Sequence, residues 1–266
     1  MPAVKDREGI RAAYSTGETA EHYVDRRFAS AWGSVMHETQ VKVLNRCIST
    51  WGVERLLEIA PGPGRLSVDV TGFREGYLCE ANDSMLRVAG RRLREVRERN
   101  GTCPTSRRWH LVRGDAFALP LRGPFDMVYT FRFIRHFGED DRAALYAQIH
   151  GLLRDGGLLV FDAVNVRVAW PARVKEGLDR HPIYDELYRR DALLEEVRAN
   201  GFEVVSLTEV IRQMTLQQWV QVLVGPRSHG LAKRLIQLLE YVPGQPLEWV
   251  VLCRKIGHRG PSGGGP

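Results

Sequence analysis

The sequence predicts an α/β protein in which strands, mostly parallel, form a doubly wound sheet covered by helices. Two observations support this fold class. Short apolar runs of strand length alternate with longer segments whose apolar residues recur at helical spacing. The first three runs also end at or near an acid, namely Glu58, Glu80 and Asp115. Open α/β sheets bind their ligands at the carboxyl ends of the strands, so these acids mark a candidate site.

Length and composition indicate a single folded domain. With 266 residues, of which 44% are hydrophobic and 26% charged, the chain can bury a sizeable core. We expect one domain over residues 1–257 and a disordered, Gly- and Pro-rich tail over 258–266. The net charge of +6 comes partly from arginines in residues 87–108, which Glu95 and Glu98 interrupt. No aromatic residues lie between these arginines, which favours a solvated helix face over a nucleic-acid surface.

The cysteines and the apolar segments exclude several classes of protein. The four cysteines are scattered and form no Cys-x-x-Cys pair, so we expect neither a metal site nor a disulfide framework. No apolar stretch reaches the roughly 18–20 residues that span a bilayer, and the charged N-terminus is not a secretory signal. These features predict a cytoplasmic protein without stable membrane insertion.

The first strand and the loop after it organise the chain. In the sequence LLEIAPGPGRL, residues 56–66, an apolar run ends beside Glu58 and small or rigid residues follow. Ala60, Gly62 and Gly64 lack bulk, so the backbone there can lie against a ligand. Glu58 would accept a hydrogen bond from a cationic amine and would repel a pyrophosphate. A helix is expected to start near Arg65 and to continue through residues 66–71.

The other predicted elements follow in chain order. Residues 1–35 precede the sheet as a cap, and an amphipathic helix over 38–51 leads into the first strand. Glu80 lies 22 positions beyond Glu58, the distance expected for an acid that binds ribose hydroxyls. The predicted strands are 53–59, 76–80, 109–112, 125–130, 158–162, 202–207 and 247–253, and further helices are expected over 139–153 and 191–200.

Four segments in this order resemble the motifs of the class I S-adenosylmethionine-dependent methyltransferases, in their small-molecule (UbiE-like) branch. The loop at 58–64 resembles acid-x-Gly-x-Gly-x-Gly, with Ala60 in place of the first glycine. The other three are the run from Glu80 to Met85, Gly-Asp-Ala at 114–116 with Leu-Pro at 119–120, and Phe-Asp-x-Val at 125–128. The resemblance implies a Rossmann-like, seven-stranded sheet with an antiparallel last strand and an N-terminal helical cap.

The resemblance also implies S-adenosylmethionine as cofactor, with S-adenosylhomocysteine as product. Glu80 would bind the ribose hydroxyls, Met85 would lie against the adenine, and Asp115 would accept from the adenine amino group. The Ala116 N–H would donate to a ring nitrogen. The expected cofactor-binding residues are Glu58, Ala60, Gly62, Gly64, Glu80, Ala81, Met85, Asp115, Ala116 and Phe131.

For the acceptor, the resemblance implies a small molecule. The connection after the fifth strand, residues 165–190, is rich in aromatic residues and suits an apolar or aromatic acceptor. His136 is the candidate general base, because an imidazole titrates near neutral pH. Arg132, four residues earlier, would share a helical face with it, and Tyr23 and Trp170 are further candidates for substrate binding. No Asn-Pro-Pro-Tyr or Asp-Pro-Pro-Tyr follows the fourth strand, which argues against DNA bases. A monomer or homodimer is expected.

Two connections are expected to shape the substrate pocket. Residues 165–190 depart from the sheet, and residues 215–242 carry apolar residues at helical spacing on either side of a Gly-Pro break. Core or lid packing is favoured for the second segment. With Lys233 and Arg234, it also has the composition of a membrane-surface helix.

Two other functions fit an α/β fold that binds a nucleotide cofactor. An NAD-dependent oxidoreductase would carry Gly-x-Gly-x-x-Gly, but Ser67 occupies the place of the third glycine. The second alternative is a catalytically silent protein that keeps the cofactor fold as a scaffold.

Overall fold

A computed structural model describes residues 7–13, 29–99 and 108–257 of the chain. Within these residues the strands are β1 (Arg55–Ile59), β2 (Glu75–Glu80), β3 (Arg108–Arg113), β4 (Phe125–Thr130), β5 (Leu153–Asn165), β6 (Leu187–Tyr188), β7 (Phe202–Val210) and β8 (Glu248–Lys255). The α-helices are α1 (Arg7–Ala13), α2 (Ala31–Trp51), α3 (Asp83–Arg99), α4 (Glu139–Leu152), α5 (Val166–Glu176), α6 (Arg190–Ala199), α7 (Met214–Leu223) and α8 (His229–Leu239).

One sheet runs through the described part of the chain in the order β3-β2-β1-β4-β5-β8-β7. Strands β1 to β5 are parallel, and β8 is inserted antiparallel between β5 and β7. The seven predicted strands, the antiparallel last strand and the doubly wound α/β architecture are confirmed. The two-residue β6, which pairs with the end of β5, was not predicted. The strand order reverses between β1 and β4, which is where such sheets bind ligands.

The central strands are buried because helices cover both faces of the sheet. Side chains alternate between the two faces along β1: Leu57 and Ile59 belong to one core cluster, whereas Leu56 belongs to the other. In β4, Val128 lies in the first cluster, and Met127 and Tyr129 lie in the second. This period of two explains why apolar runs mark the strands in the sequence.

Two predicted helix boundaries are wrong. Residues 62–69 form turns instead of a helix beginning near Arg65, because this short connection carries Pro61 and Pro63 and places Gly64 at φ +70°. Helix α2 begins at Ala31 instead of residue 38. The Oγ of Ser30 accepts from the backbone N–H of Gly33 at 3.0 Å, which caps the helix there. Residues 31–35 therefore belong to this helix and not to a separate cap.

Helices α7 and α8 form a layer beside α2. Ala232 and Ile236 of α8 pack on Ala31 and Val35 of α2. The segment 215–242 thus covers a helix. None of the described helices is both long and apolar enough to cross a membrane.

Candidate active site

A crevice opens at the carboxyl ends of β1, β2 and β4. Its described lining comes from the loops that follow these strands, from the loop after β3 and from α1. It consists of Arg7, Ile10, Glu58, Ala60, Pro61, Gly62, Pro63, Arg65, Leu66, Cys79, Glu80, Ala81, Asn82, Met85, Gly114, Asp115, Ala116, Phe117, Phe131, Arg132, Phe133, His136 and Phe137.

The loop after β1 presents bare backbone to this crevice. Ala60 and Gly62 have φ angles of 52° and 56°, in the left-handed region. A Cβ on Gly62 would meet no atom within 4 Å, so this residue leaves open space on the crevice side of the loop. Gly64 has another role, because a Cβ there would come within 3.0 Å of the Cβ of Ala89. Gly64 thus lets the loop pack on α3, and it is absent from the crevice lining.

Glu58 lies at the base of the crevice and is buried. Its Oε2 accepts from Ser67 Oγ at 2.5 Å and from Tyr129 OH at 2.8 Å. Burial raises the pKa of Glu58 to about 7, although both hydroxyl bonds and the charge of Arg65 act in the opposite direction. This carboxyl group is therefore poised to change charge near neutral pH.

Glu80 connects the end of β2 to the glycine loop. One carboxylate oxygen accepts from the Gly62 N–H at 3.0 Å, and the other accepts from the Asn82 N–H at 2.9 Å. Burial raises its pKa, and these backbone bonds oppose that shift. The carboxylate thereby fixes the loops on which Ala81 and Gly62 lie.

The remaining expected cofactor residues complete the crevice. Met85 and Phe131 are buried apolar walls, and Ala116 lies on the loop after β3. Asp115 accepts from the Phe117 N–H at 3.0 Å, which shapes that loop. The structure thus brings the expected cofactor-binding residues into one crevice, apart from Gly64.

Arg132 and His136 also line the crevice, but they do not share an α-helical turn as expected. Arg132 has φ 57°, and its backbone N–H donates to Asp162 Oδ1 at 2.5 Å. His136 lies in a single 3₁₀ turn, Ile134–His136. Its Nδ1 is 2.9 Å from the carbonyl oxygen of Tyr184 and 2.9 Å from Asp185 Oδ1.

Asp185 belongs to a buried ionic cluster that the sequence analysis missed. Arg135 Nη1 lies 2.8 Å from Asp162 Oδ2, and Arg135 Nε lies 3.2 Å from Asp185 Oδ1. Arg173 Nη2 bonds the other Asp185 oxygen at 2.5 Å. Burial acts to raise the pKa of Asp185, but Arg135, His136 and Arg173 together hold it well below its usual range. Asp162 is the last residue of the strand predicted over 158–162, although β5 continues to Asn165, and Asp185 follows no recognisable pattern because it lies in an irregular connection.

Of the expected substrate residues that the structure describes, Trp170 is not found in the crevice. This residue, on α5, is half exposed. Ala169 is the buried residue of α5, and Trp170, next to it, lies on the partly exposed side of this helix. Tyr23 lies outside the described residues. In contrast, Arg7 and Ile10 of α1 line the crevice, and Arg7 pairs with Asp141 at 2.5 Å and stacks on Phe117.

The chemistry of the crevice fits a ligand with several polar groups and one flat apolar part. Carboxyl groups at three strand ends can accept hydrogen bonds from an ammonium group, from vicinal hydroxyls and from an exocyclic amine. Met85 and Phe131 supply apolar contact, and the open space at Gly62 admits a ligand close to the backbone.

Comparison with known proteins agrees with this chemistry. A family model described as "Methyltransferase domain" matches residues 21–207. No curated protein matches the sequence.

Solved structures share the fold. Magnesium protoporphyrin IX methyltransferase from Synechocystis PCC 6803, with bound S-adenosylhomocysteine, is 11% identical, with 94% of this chain and 100% of that chain covered and a TM-score of 0.64. The cyclase SpnF is 16% identical, with coverages of 97% and 99% and a TM-score of 0.63. An S-adenosylmethionine-dependent methyltransferase from Clostridium acetobutylicum is 10% identical, with coverages of 90% and 99% and a TM-score of 0.59.

At these identities the structures show the fold alone, and the family model shows the family. Because that model spans most of the chain, the chain belongs to the methyltransferase domain family, the class I enzymes that use S-adenosylmethionine as methyl donor.

Proposed function

We propose that this chain transfers a methyl group from S-adenosylmethionine to a small-molecule acceptor in the crevice. The observation that carries the proposal is the convergence of Glu58, Glu80 and Asp115 with the bare loop at Gly62. When bound, S-adenosylmethionine would supply a methyl group on a positively charged sulfur: the acceptor would form a bond to the methyl carbon as the C–S bond breaks in line, and S-adenosylhomocysteine would be left.

The carboxylates would hold the polar groups of the cofactor. The Glu80 carboxylate accepts from the backbone N–H groups of Gly62, Ala81 and Asn82, and since a carboxylate has about four acceptor sites, Glu80 retains capacity for a ribose hydroxyl. Glu58, at the end of β1, would face the amine of the methionine part. Asp115 and the Ala116 N–H would bind the adenine edge, and Met85 and Phe131 would contact its ring. Gly64 would act indirectly, by letting the loop pack against α3.

On the acceptor side, His136 would act as general base, with Asp185 orienting it. A carbonyl oxygen and a carboxylate oxygen both lie 2.9 Å from Nδ1, which favours a proton on that nitrogen. In the neutral imidazole the basic nitrogen is then Nε2. Proximity and orientation of the acceptor would supply most of the rate, and the base would matter for acceptors that must lose a proton.

The crevice wall beside His136 supports an apolar or aromatic small molecule as acceptor. Phe133, Phe137 and Ile10 line it there, and Arg132 offers one cationic group. A structural neighbour named for magnesium protoporphyrin IX is consistent with a small-molecule acceptor. We place the chain in the cytoplasm, as a monomer or homodimer.

Calorimetry with S-adenosylmethionine, S-adenosylhomocysteine and NAD tests the cofactor. We expect binding of the first two, and binding of NAD alone would favour the oxidoreductase alternative. Incubation of the full chain and labelled S-adenosylmethionine with cell extracts, followed by mass spectrometry of the small-molecule fraction, tests the reaction. Cofactor binding without any labelled product would favour the silent scaffold.

A further inference from the structure

Helices α7 and α8 expose a broad apolar surface, which we call the α7–α8 face. On α7, the exposed large side chains follow one side of the helix. On α8, Leu231 and Leu238 lie two turns apart and are 51% and 63% exposed. The α7 residues of this face are Leu216, Trp219, Val222 and Leu223, which are 49%, 58%, 64% and 56% exposed.

Both helices bury only part of their apolar residues: Val220 of α7 packs toward the protein, but the larger apolar side chains of the α7–α8 face do not. The side of α7 that faces the protein carries Gln217, which is fully buried, and Gln221, whose Oε1 accepts from the Trp32 N–H at 3.2 Å. Helix α8 buries Ala232 and Ile236. The larger apolar residues therefore point outward. Contiguous apolar surface of this kind marks an interaction site on a folded protein.

The charge around the face is basic. From residue 211 to residue 239 the sequence contains no Asp or Glu, but it contains Arg212, Arg227, Lys233 and Arg234. The acids that contact this segment are paired: Glu209 with Arg212 and Glu38 with Lys233, and Glu240 accepts from the backbone N–H groups of residues 211 and 212.

Two of the basic residues lie next to the α7–α8 face. Arg227 and Arg234 are exposed, and neither forms an ion pair with the residues that the structure describes. Arg234 lies between Leu231 and Leu238 on the outer side of α8. An apolar face with accompanying cations and no acid is complementary to an anionic bilayer surface. A second copy of the chain would bring the same cations together across a two-fold axis, which is unfavourable.

We propose that the α7–α8 face docks on the surface of an anionic lipid bilayer. Trp219 and Leu223 would enter the boundary between headgroups and acyl chains, because a Trp ring favours that depth. Arg227 and Arg234 would contact the lipid phosphates. The association is peripheral and reversible, and it is independent of the reaction in the crevice.

Co-sedimentation of the full chain with vesicles tests the proposal. The vesicles are phosphatidylcholine alone, or phosphatidylcholine with about one third phosphatidylglycerol, at low and at physiological salt. We expect binding to the anionic vesicles at least tenfold tighter than to the neutral ones, and weaker at the higher salt. Leu216→Ser/Trp219→Ser should reduce binding at least tenfold, and Arg227→Gln/Arg234→Gln should reduce it roughly tenfold on anionic vesicles only.

Matched control variants keep the test specific. Val174→Ser/Leu178→Ser removes two exposed apolar side chains from another surface, and Arg189→Gln/Arg190→Gln removes two exposed charges. Both controls should bind vesicles like the wild type, and all variants should keep the wild-type melting temperature and cofactor affinity. The proposal is overturned if neither vesicle is bound, or if the controls lose binding equally. It is also overturned if light scattering shows a dimer that Leu216→Ser/Trp219→Ser dissociates while no vesicle is bound.

Discussion

Glu58 illustrates how a single buried carboxyl group can make cofactor binding depend on pH. Its pKa is raised to about 7 by burial, and only its ionised form accepts fully from an ammonium group. We expect the affinity for S-adenosylmethionine to increase from pH 6 to pH 8. Glu58→Gln should lower the affinity at pH 8 by about 1–2 kcal/mol and should weaken the pH dependence. Calorimetry at three pH values measures both effects.

The Gln variant is a conservative probe because both hydroxyl donors, Ser67 and Tyr129, bond the same oxygen of Glu58. An amide oxygen in that position accepts both bonds. A variant that retains the wild-type pH dependence would show that another group controls binding.

Glu80→Ala should weaken S-adenosylmethionine binding by on the order of 1–3 kcal/mol, since charge-assisted hydrogen bonding to the ribose is lost. The same change removes the acceptor for the Gly62 and Asn82 N–H groups, so it should also lower the melting temperature of the free protein. Glu75→Ala, at the other end of β2, is the control and should leave the affinity unchanged. Unchanged affinity in Glu80→Ala would contradict the ribose role.

His136→Ala should reduce kcat by about 10²–10⁴-fold for an acceptor that loses a proton, while the cofactor affinity changes little. Asp185→Asn should lower kcat for the same acceptor, because the carboxylate that orients the imidazole through Nδ1 is lost. Turnover at varied pH with a fixed acceptor measures both variants. Undiminished turnover of His136→Ala across the pH range would leave His136 a structural role only.

The sequence predicts residues whose signal is local and misses those whose contacts are distant. Glu58, Glu80 and Asp115 follow recognisable strands, and the structure brings them into one crevice. Arg135 contacts Asp162 and Asp185, which lie 27 and 50 positions further along the chain. No spacing rule connects such positions, because the fold alone brings them together.

In the loop between β1 and β2, Gly62 and Gly64 have different roles. Gly62→Ala and Gly64→Ala both place a side chain at positive φ, which costs about 1–2 kcal/mol each. Only the Gly64 Cβ meets Ala89, at 3.0 Å. We therefore expect Gly64→Ala to lower the free energy of unfolding by more than Gly62→Ala does. Gly62→Ala should instead weaken cofactor binding disproportionately.

Urea denaturation and calorimetry on the two variants measure this difference. Gly138→Ala is a suitable control, since its Cβ meets nothing within 4 Å and its φ of −69° is ordinary for any residue. Equal loss of stability and of affinity in both loop variants would contradict the separate roles.

The elements themselves were predictable to different degrees. The seven longer strands were predicted because apolar runs in a covered sheet stand out from their surroundings. The helix expected at residues 66–71 is a series of turns, where prolines and Gly64 outweigh the apolar spacing. The two-residue β6 carries no pattern, because Leu187 and Tyr188 are strand residues only through pairing with the end of β5.

Across the whole molecule, buried acids with a raised pKa, which include Glu58, Glu80 and Glu248, make stability depend on pH. Burial raises the pKa of Glu58 and of Glu248 to about 7, and the charge of Asp162 adds to the shift at Glu248. Between pH 5 and 7 the folded protein therefore binds more protons than the unfolded chain. The free energy of unfolding should decrease as pH rises from 5 to 8, by at most about 3 kcal/mol for each group.

Urea denaturation at pH 5, 6, 7 and 8 measures this decrease. The double variant Glu58→Gln/Glu248→Gln should show a flatter profile, since an amide does not titrate. Gln40 donates to Glu248 Oε1 at 2.9 Å, and a glutamine there can accept that bond with its carbonyl oxygen. Stability that increases with pH over this range would contradict the prediction.

The segment that connects β5 and β6 is anchored to the sheet at both ends. Asn165 caps α5 and donates to the carbonyl oxygen of Pro246, and β6 returns the chain to β5 just after Asp185. Residues 166–183 thus form a connection whose two ends are held at fixed positions on the sheet. None of these described residues lines the crevice, so a segment of different length or polarity there should leave cofactor binding unchanged, provided that Tyr184 and Asp185 keep their contacts with His136 Nδ1.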